Sequence, residues 1–154
     1  MDSTGKSTEI ENQIVPLLPE DLPEVMAIWL KVNREAHSFI PDSYWLAQYD
    51  AVQQAITEAE VYCWKPAEKP LAFIGLMEDY VAGLFVRPEW RRKGVGQALL
   101  SFARKKRQRL TLHVYRKNEP ALYFYLAQGF AVTGSILEPS TGENALILQW
   151  DKEG

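Results

Sequence analysis

The sequence predicts one α/β (α+β) domain with a mixed, mostly antiparallel sheet of about seven strands and four helices, and three observations support this fold class. Short β-rich runs and longer runs of helical period follow each other in the order β α α β β β α β α β β. Antiparallel hairpins in the first half precede a strand–helix–strand unit, so the sheet should be mixed, with helices on both faces. The 154 residues, 47% of them apolar, suffice for one core but not for two ordinary domains. A single domain is therefore expected over residues 13–154, after a flexible tail over residues 1–12.

The first elements of the domain are predicted to be one strand and two helices. The apolar run at 14–18 is short and is followed by a proline, which suits a first strand. Asp21 and Glu24 have the spacing of a capping box, which predicts the start of a helix. The helical pattern breaks at 36–41, and a second helix follows because apolar residues recur there at helical spacing. These apolar residues are Trp45, Tyr49, Val52, Ile56 and Ala59.

Three apolar, β-rich runs in the middle of the chain predict three successive strands. They cover residues 61–64, 71–77 and 81–86, and the turn residues at 78–80 predict a hairpin between the last two. Gly94 then opens a third helix, whose apolar residues lie on one face. That face consists of Val95, Ala98, Leu99, Phe102 and Ala103.

The C-terminal part predicts a strand, a helix and two further strands. Apolar residues at every second position of 110–114 indicate a strand. Asn118 is a typical N-cap for a fourth helix, and Gly129 is a typical residue to end it. The runs 130–133 and 145–150 are expected to form the last two strands.

The composition excludes several classes of protein. Cys63 is the single cysteine, so an internal disulfide framework is excluded, and no cluster of cysteine and histidine indicates a structural metal. No apolar run approaches the ~20 residues that span a bilayer, and the N-terminal residues are polar rather than signal-like. We therefore expect a cytoplasmic protein with no metal and no membrane partner.

The net charge of −3 is unevenly distributed along the chain. Residues 1–86 carry a net charge of −9, residues 87–109 carry +8, and residues 110–154 carry −2. A basic block in an otherwise acidic chain suggests an anionic ligand such as a phosphate. A nucleic-acid surface is less favoured, because no aromatic residues alternate with the basic ones to form a stacking platform.

The segment 84–100 combines the end of a strand, a short loop and the start of the third helix. Gly94 and Gly96 stand where the chain enters the helix, and three basic residues at 91–93 precede them. Glycines allow a ligand to approach the backbone, and the free N–H groups of a first helical turn attract anions. The segment therefore predicts a pyrophosphate site. The Walker pattern is absent, and the dinucleotide fingerprint fails because Leu99 stands where glycine or alanine is required.

Two motifs, in this order, resemble those of the GNAT family of N-acetyltransferases. Arg91, Gly94 and Gly96 are similar to its acetyl-coenzyme A motif Arg/Gln-x-x-Gly-x-Gly/Ala, after a strand that ends in Leu-Phe-Val. The segment 118–130 is similar to its Asn-x-x-Ala-x-x-Phe-Tyr-x-x-x-Gly-Phe block. The predicted order of elements resembles the same family. The stretches 115–121 and 37–40 look most like small bacterial members linked to protein-lysine acetylation.

The resemblance implies an acetyl-coenzyme A (acetyl-CoA) site. Backbone groups at 84–86 would line the acetyl group and the pantetheine arm, and an amide there would polarise the thioester carbonyl. Amides at 92–97 would hold the pyrophosphate, and the Asn118 side chain would contact the pantetheine arm. The cofactor-binding residues implied in this way are Leu84, Phe85, Val86, Arg91, Arg92, Lys93, Gly94, Val95, Gly96, Gln97, Asn118, Ala121 and Phe124.

The resemblance also implies that Tyr125 is the catalytic acid, and it leaves the base open. A phenol can donate a proton to the departing thiolate as charge develops on sulfur. Some family members have a carboxylate as base five residues before the motif asparagine, and here His113 occupies that position. An imidazole can accept a proton near neutral pH. Glu78, at the predicted hairpin turn, and ordered water are the other candidates.

The residues between the first two helices are expected to border the acceptor. His37, Phe39 and Trp45 are the predicted substrate-binding residues, although packing alone could explain the last two. The predicted function is direct acetyl transfer from acetyl-CoA to a primary amine, first of all a protein lysine. A small-molecule amine as acceptor and a non-catalytic acyl-CoA sensor are the alternatives. A monomer or homodimer without a nucleic-acid partner is expected.

Overall fold

The computed structural model describes residues 8–153. The strands are β1 (Ile14–Pro16), β2 (Glu60–Trp64), β3 (Ala72–Met77), β4 (Tyr80–Val86), β5 (Arg109–Tyr115), β6 (Ala131–Leu137) and β7 (Asn144–Asp151). The main helices are α1 (Leu22–Ala36), α2 (Asp42–Glu58), α3 (Val95–Arg104) and α4 (Glu119–Ala127). This is the order of elements that the sequence predicts.

All the strands belong to one mixed sheet with the order β1-β2-β3-β4-β5-β7-β6. Neighbouring strands are antiparallel except β4 and β5, which are parallel and pair only between Tyr80 and Thr111. The predicted fold class is therefore confirmed. The sequence did not reveal that β7 lies between β5 and β6.

The two faces of the sheet carry separate cores. Buried residues of α3 and α4 pack on one face, and buried residues of α1 and α2 pack on the other. Successive residues of a strand point to opposite faces. Leu112 and Val114 of β5 therefore belong to the first core, while Tyr115 packs against the second. His113 shares the face of Tyr115 but remains exposed.

The predicted tail needs correction over its last residues. Residues 8–11 form a helical turn, and Ile10 is only 7% exposed, within the core under α3. Glu11 pairs with Lys105 at the end of α3, at 2.6 Å. One apolar side chain and one ion pair anchor this segment, and neither produces a periodic pattern in the sequence. The rest of the predicted tail, residues 1–7, lies outside the described residues.

Asp21 does not cap α1 as the capping-box spacing predicted. A 3-10 turn at Pro19–Asp21 leads directly into the helix, and the Asp21 side chain is turned back to accept a hydrogen bond from the backbone N–H of Leu18 at 3.2 Å. The carboxylate is 3% exposed and lies 2.9 Å from Nζ of Lys65. The ion pair with Lys65 compensates for the burial of this charge.

Candidate functional site

A cleft of about 1270 Å³ opens between β4 and β5, where the two strands part. The strands diverge because their pairing is confined to Tyr80 and Thr111, and because a bulge shifts the register of β4 on β3 between Gly75 and Leu76. The starts of α3 and α4 and the loop after α1 complete the lining. This volume exceeds the ~300–1,000 Å³ of typical small-ligand pockets, so the cleft can hold two substrates together.

The start of α3 forms the cationic end of the cleft. Gly94 is the N-cap with a φ of 86°, and Arg92 has a φ of 60°, so the loop turns tightly before the helix. A Cβ on Gly96 would lie 3.2 Å from Cζ of Phe124, so a glycine lets α3 and α4 meet. Arg91 and Arg92 line the cleft beside the free N–H groups of the first helical turn. This end suits a pyrophosphate.

Tyr125 lies deep in the cleft on α4. It is 8% exposed, and its ring contacts those of Phe124 at 5.2 Å and Phe130 at 5.5 Å. Burial raises the pKa of Tyr125 well above its usual range, so the phenol keeps its proton at neutral pH. Within residues 8–153 its hydroxyl has no hydrogen-bond partner, which leaves the proton available to a bound molecule.

A chain of side-chain hydrogen bonds crosses the cleft from α1 to α4. The amide of Asn33 donates to the carbonyl of Trp29 at 2.9 Å, so its Oδ1 must accept from Nδ1 of His37, at 3.1 Å. Nε2 of His37 then accepts from Nδ2 of Asn118 at 3.0 Å, and Oδ1 of Asn118 accepts from the N–H of Ala121 at 3.4 Å. Burial lowers the pKa of His37 to about 4, which agrees with the neutral tautomer that this chain requires. Asn118 thus caps α4, as predicted, and also orients His37.

Aromatic rings pack around His37 in the cleft. The His37 ring stacks on Trp45 at 5.5 Å and contacts Tyr115 at 5.0 Å, and Phe39 supports both His37 and Tyr115 at 5.7 Å. The indole N–H of Trp45 is buried without a hydrogen-bond partner in the described part of the chain. A buried donor of this kind can pair with a ligand acceptor.

His113 also lines the cleft, with its ring 5.3 Å from that of Tyr80. The loop after β6 brings in Glu138, whose charge acts on Tyr80 and Tyr115. Sequence reasoning missed Tyr80 and Glu138 as site residues. Glu138 follows an exposed edge strand, where no motif or spacing marks it.

The structure brings most of the predicted site residues together, but it leaves three of them outside the cleft lining. Lys93 lies over the ring of Trp90 at 5.7 Å, and Phe39 stands behind His37. Glu78, the other candidate base, does not line the cleft, because it lies exposed at the β3–β4 turn with a φ of 55°. The predicted residues that line the cleft are Leu84, Phe85, Val86, Arg91, Arg92, Gly94, Val95, Gly96, Gln97, Asn118, Ala121, Phe124, Tyr125, His113, His37 and Trp45.

Cys63 is remote from this chemistry. It is fully buried in the core under α1 and α2, and burial raises the pKa of its thiol to about 12. Across residues 8–153, no group of three or more histidine, cysteine or acidic residues could hold a metal ion, and no helix is long and apolar enough to cross a membrane.

Comparison with known proteins agrees with this geometry. The family model of the acetyltransferase (GNAT) domain matches residues 41–132. The chain is 33% identical to the peptidyl-lysine N-acetyltransferase YiaC of Escherichia coli K12 over 132 residues, which cover 84% of this chain and 90% of that protein. It is 32% identical to the peptidyl-lysine N-acetyltransferase YjaB of the same organism, over 75% of this chain and 79% of that one.

Solved structures show the same fold. The solution structure of apo YjaB from Escherichia coli matches with a TM-score of 0.80 and 29% identity, over 88% of this chain and 95% of that one. An acetyltransferase from Bacillus anthracis in complex with acetyl-CoA matches with a TM-score of 0.56 and 20% identity, over 62% of this chain and 64% of that one. The chain therefore belongs to the GNAT family of acetyltransferases, which use acetyl-CoA.

Proposed function

We propose that this enzyme transfers acetyl from acetyl-CoA directly to the side-chain amine of protein lysines. The observation that carries the proposal is that one cleft holds both the anion-binding start of α3 at Gly94 and the buried phenol of Tyr125. The relatives YiaC and YjaB, which are named for peptidyl-lysine, support a lysine acceptor. The net charge of −9 over residues 1–86 also suits a cationic protein substrate.

The residues of the cleft fit acetyl-CoA, which supplies the acetyl group as a thioester. Arg91, Arg92 and the amides of the first turn of α3 would bind the pyrophosphate. Backbone groups of β4 at 84–86 have no partner on β5, so they can bind an extended pantetheine arm and polarise the thioester carbonyl. These unpaired backbone groups need hydrogen-bond partners, and a bound pantetheine arm would supply them.

Tyr125 would act as the acid. Its phenol stays protonated because burial disfavours the phenolate and raises its pKa, and its hydroxyl has no competing partner in the described chain. It can therefore donate a hydrogen bond and then a proton to the sulfur that leaves.

His113 would act as the base. It is exposed to the cleft on β5, and no hydrogen bond within residues 8–153 occupies its ring nitrogens. The imidazole can take the proton that an attacking amine must lose, either directly or through water. We propose direct transfer, and the one cysteine, Cys63, is buried in the opposite core with a raised pKa, so it is not available to form an acyl-enzyme.

His37 and Trp45 would form the wall of the acceptor pocket, with Phe39 supporting His37 from behind. Apolar faces there would pack along the aliphatic part of a lysine side chain. A cytoplasmic location and a monomeric or dimeric state complete the proposal.

The test is an assay of coenzyme A release with acetyl-CoA and a panel of acceptors. Lysine peptides, free polyamines and small aromatic amines should be compared at matched concentration, with the acetylated product identified by mass spectrometry. We expect the highest kcat/KM on lysine peptides. A preference for a small amine would support the alternative acceptor class, and tight acetyl-CoA binding without turnover on any amine would support a sensor.

A further inference from the structure

One carboxylate of the cleft lacks a partner among residues 8–153. Glu138 follows β6 directly, and its side chain makes no ion pair or hydrogen bond within that range. The other carboxylate in the lining, Glu35, lies 3.6 Å from Lys31 and 3.8 Å from Arg91. Glu138 is therefore the negative charge in the cleft that a cationic ligand can use.

The loop that carries Glu138 is held by hydrogen bonds. The Glu138 N–H donates to the carbonyl of Glu143 at 2.9 Å, and its carbonyl accepts from the N–H of Gly142 at 2.8 Å. Oγ of Ser140 lies 3.1 Å from the hydroxyl of Tyr44 at the start of α2. These contacts close the loop on itself and join it to the start of α2, so Glu138 is held in place rather than carried on a free loop.

Aromatic side chains share the cleft lining with this carboxylate. Tyr80, His113 and Tyr115 line the same cleft, and Tyr80 contacts His113 at 5.3 Å. Burial is the main cause that raises the pKa of Tyr80 and of Tyr115, and the charge of Glu138 raises both further. Aromatic faces attract ammonium groups, and a carboxylate in the same cleft adds an opposite charge.

The cleft lining carries both positive and negative side chains. Its basic residues, Arg91 and Arg92, stand at the start of α3, where Arg91 lies 3.8 Å from Glu35, and no other lysine or arginine of the described chain lines the cleft. An anionic donor at the start of α3 and a cationic acceptor at Glu138 would each meet an opposite charge.

We propose that Glu138 is a specificity-determining residue that binds the ammonium form of the acceptor amine, so that the enzyme selects alkyl amines over acceptors that are neutral at the same pH. The proposal rests on the proposed function and names the chemical class of its acceptor. Glu138 recognises the cation before transfer, whereas His113 removes the proton.

The experiment measures steady-state kinetics with two acceptors at near-neutral pH: a lysine peptide, and the same peptide with a hydrazide, which is neutral there, in place of the lysine amine. Glu138→Gln should lower kcat/KM for the lysine peptide by about tenfold or more, mainly through KM. It should change kcat/KM for the hydrazide by less than about twofold and leave the KM of acetyl-CoA unchanged. Glu138→Asp, which keeps the charge, should recover most of the loss.

Glu143→Gln is the matched control. It removes a negative charge from the same loop, but that charge is already paired with Lys117 at 3.1 Å. We expect its kinetics to match wild type. Equal losses on both acceptors in Glu138→Gln, or no loss on either, would overturn the assignment of Glu138 while leaving the acetyltransferase proposal standing. A wild-type enzyme that acetylates no amine would overturn both.

Discussion

Nε2 of His37 lies 3.0 Å from the amide nitrogen of Asn118, and this hydrogen bond joins the loop after α1 to the first turn of α4 across the cleft. The two residues are 81 positions apart, and each has a second partner that fixes its orientation. The neutral imidazole is essential to this contact, because a protonated Nε2 could no longer accept from Asn118. The acceptor side of the cleft and the helix that bears Tyr125 are thus coupled through one titratable ring.

Mild acid should destabilise the fold through His37. Its pKa is about 4 in the folded protein against ~6.5 for an ordinary histidine, so the unfolded chain binds more protons between these values. The contribution is complete above pH ~6.5 and is lost as the pH falls toward ~4, to a maximum of about 3 kcal/mol. Urea unfolding measured at pH ~6.5 and at pH ~4 should show a smaller loss of unfolding free energy in His37→Gln than in wild type. His113→Gln, which alters the exposed histidine, should lose as much as wild type, and equal losses in all three proteins would contradict the role of His37.

Replacing Tyr125 with phenylalanine should lower kcat by about a hundredfold or more, because the departing thiolate loses its proton donor. The KM of acetyl-CoA should stay within about twofold, since the ring remains in place against Phe124 and Phe130. Tyr49→Phe removes a hydroxyl from α2, outside the cleft, and should keep full activity. Unchanged kcat in Tyr125→Phe would remove Tyr125 from the acid role.

Gly94 and Gly142 offer a matched test of the anion site. Both have a positive φ, of 86° and 73°, and a Cβ at either position would meet no atom of the described chain closer than 4.0 Å. Alanine at either position should therefore lower the free energy of unfolding by a similar ~1 kcal/mol. Gly94→Asp adds a negative charge where the pyrophosphate is proposed to bind and should abolish acetyl-CoA binding in calorimetry. Gly142→Asp lies in the loop after β6 and should bind acetyl-CoA as wild type does. Retained binding in Gly94→Asp would contradict the placement of the pyrophosphate.

The parts of the site that lie on short motifs could be predicted from the sequence. A tight turn with a positive φ favours glycine, and a helix N-terminus favours asparagine as its cap. Gly94 and Asn118 perform these roles in the structure. The alternation in β5 likewise indicated that His113 points away from Leu112 and Val114. These features depend on residues that are neighbours in the chain, so the sequence around them is enough to predict them.

The parts that depend on distant pairing could not be predicted. Asp21 follows the capping spacing, yet a partner 44 residues away, Lys65, determines its position. Glu138 reaches the cleft in a sheet where β7 lies between β5 and β6, and no repeating pattern in the sequence predicts this order of strands. Glu78 was predicted at a hairpin turn and lies there, but the sequence could not show that this turn stays outside the cleft.

Asn118→Asp tests the coupling between His37 and α4 without removing the cap. An aspartate oxygen can still accept from the Ala121 N–H, but the donor to Nε2 of His37 is replaced by a carboxylate. The negative charge should favour the protonated imidazole and raise the pKa of His37 clearly above its value near 4. The chain has two histidines, so an NMR titration resolves both, and His113→Gln identifies the signal of His37. Asn118→Ala, which removes both the cap and the donor, should lower the free energy of unfolding by about 1 kcal/mol and should raise that pKa less than Asn118→Asp does, because it adds no negative charge. A His37 titration in Asn118→Asp identical to that of wild type would show that the two side chains do not interact in solution.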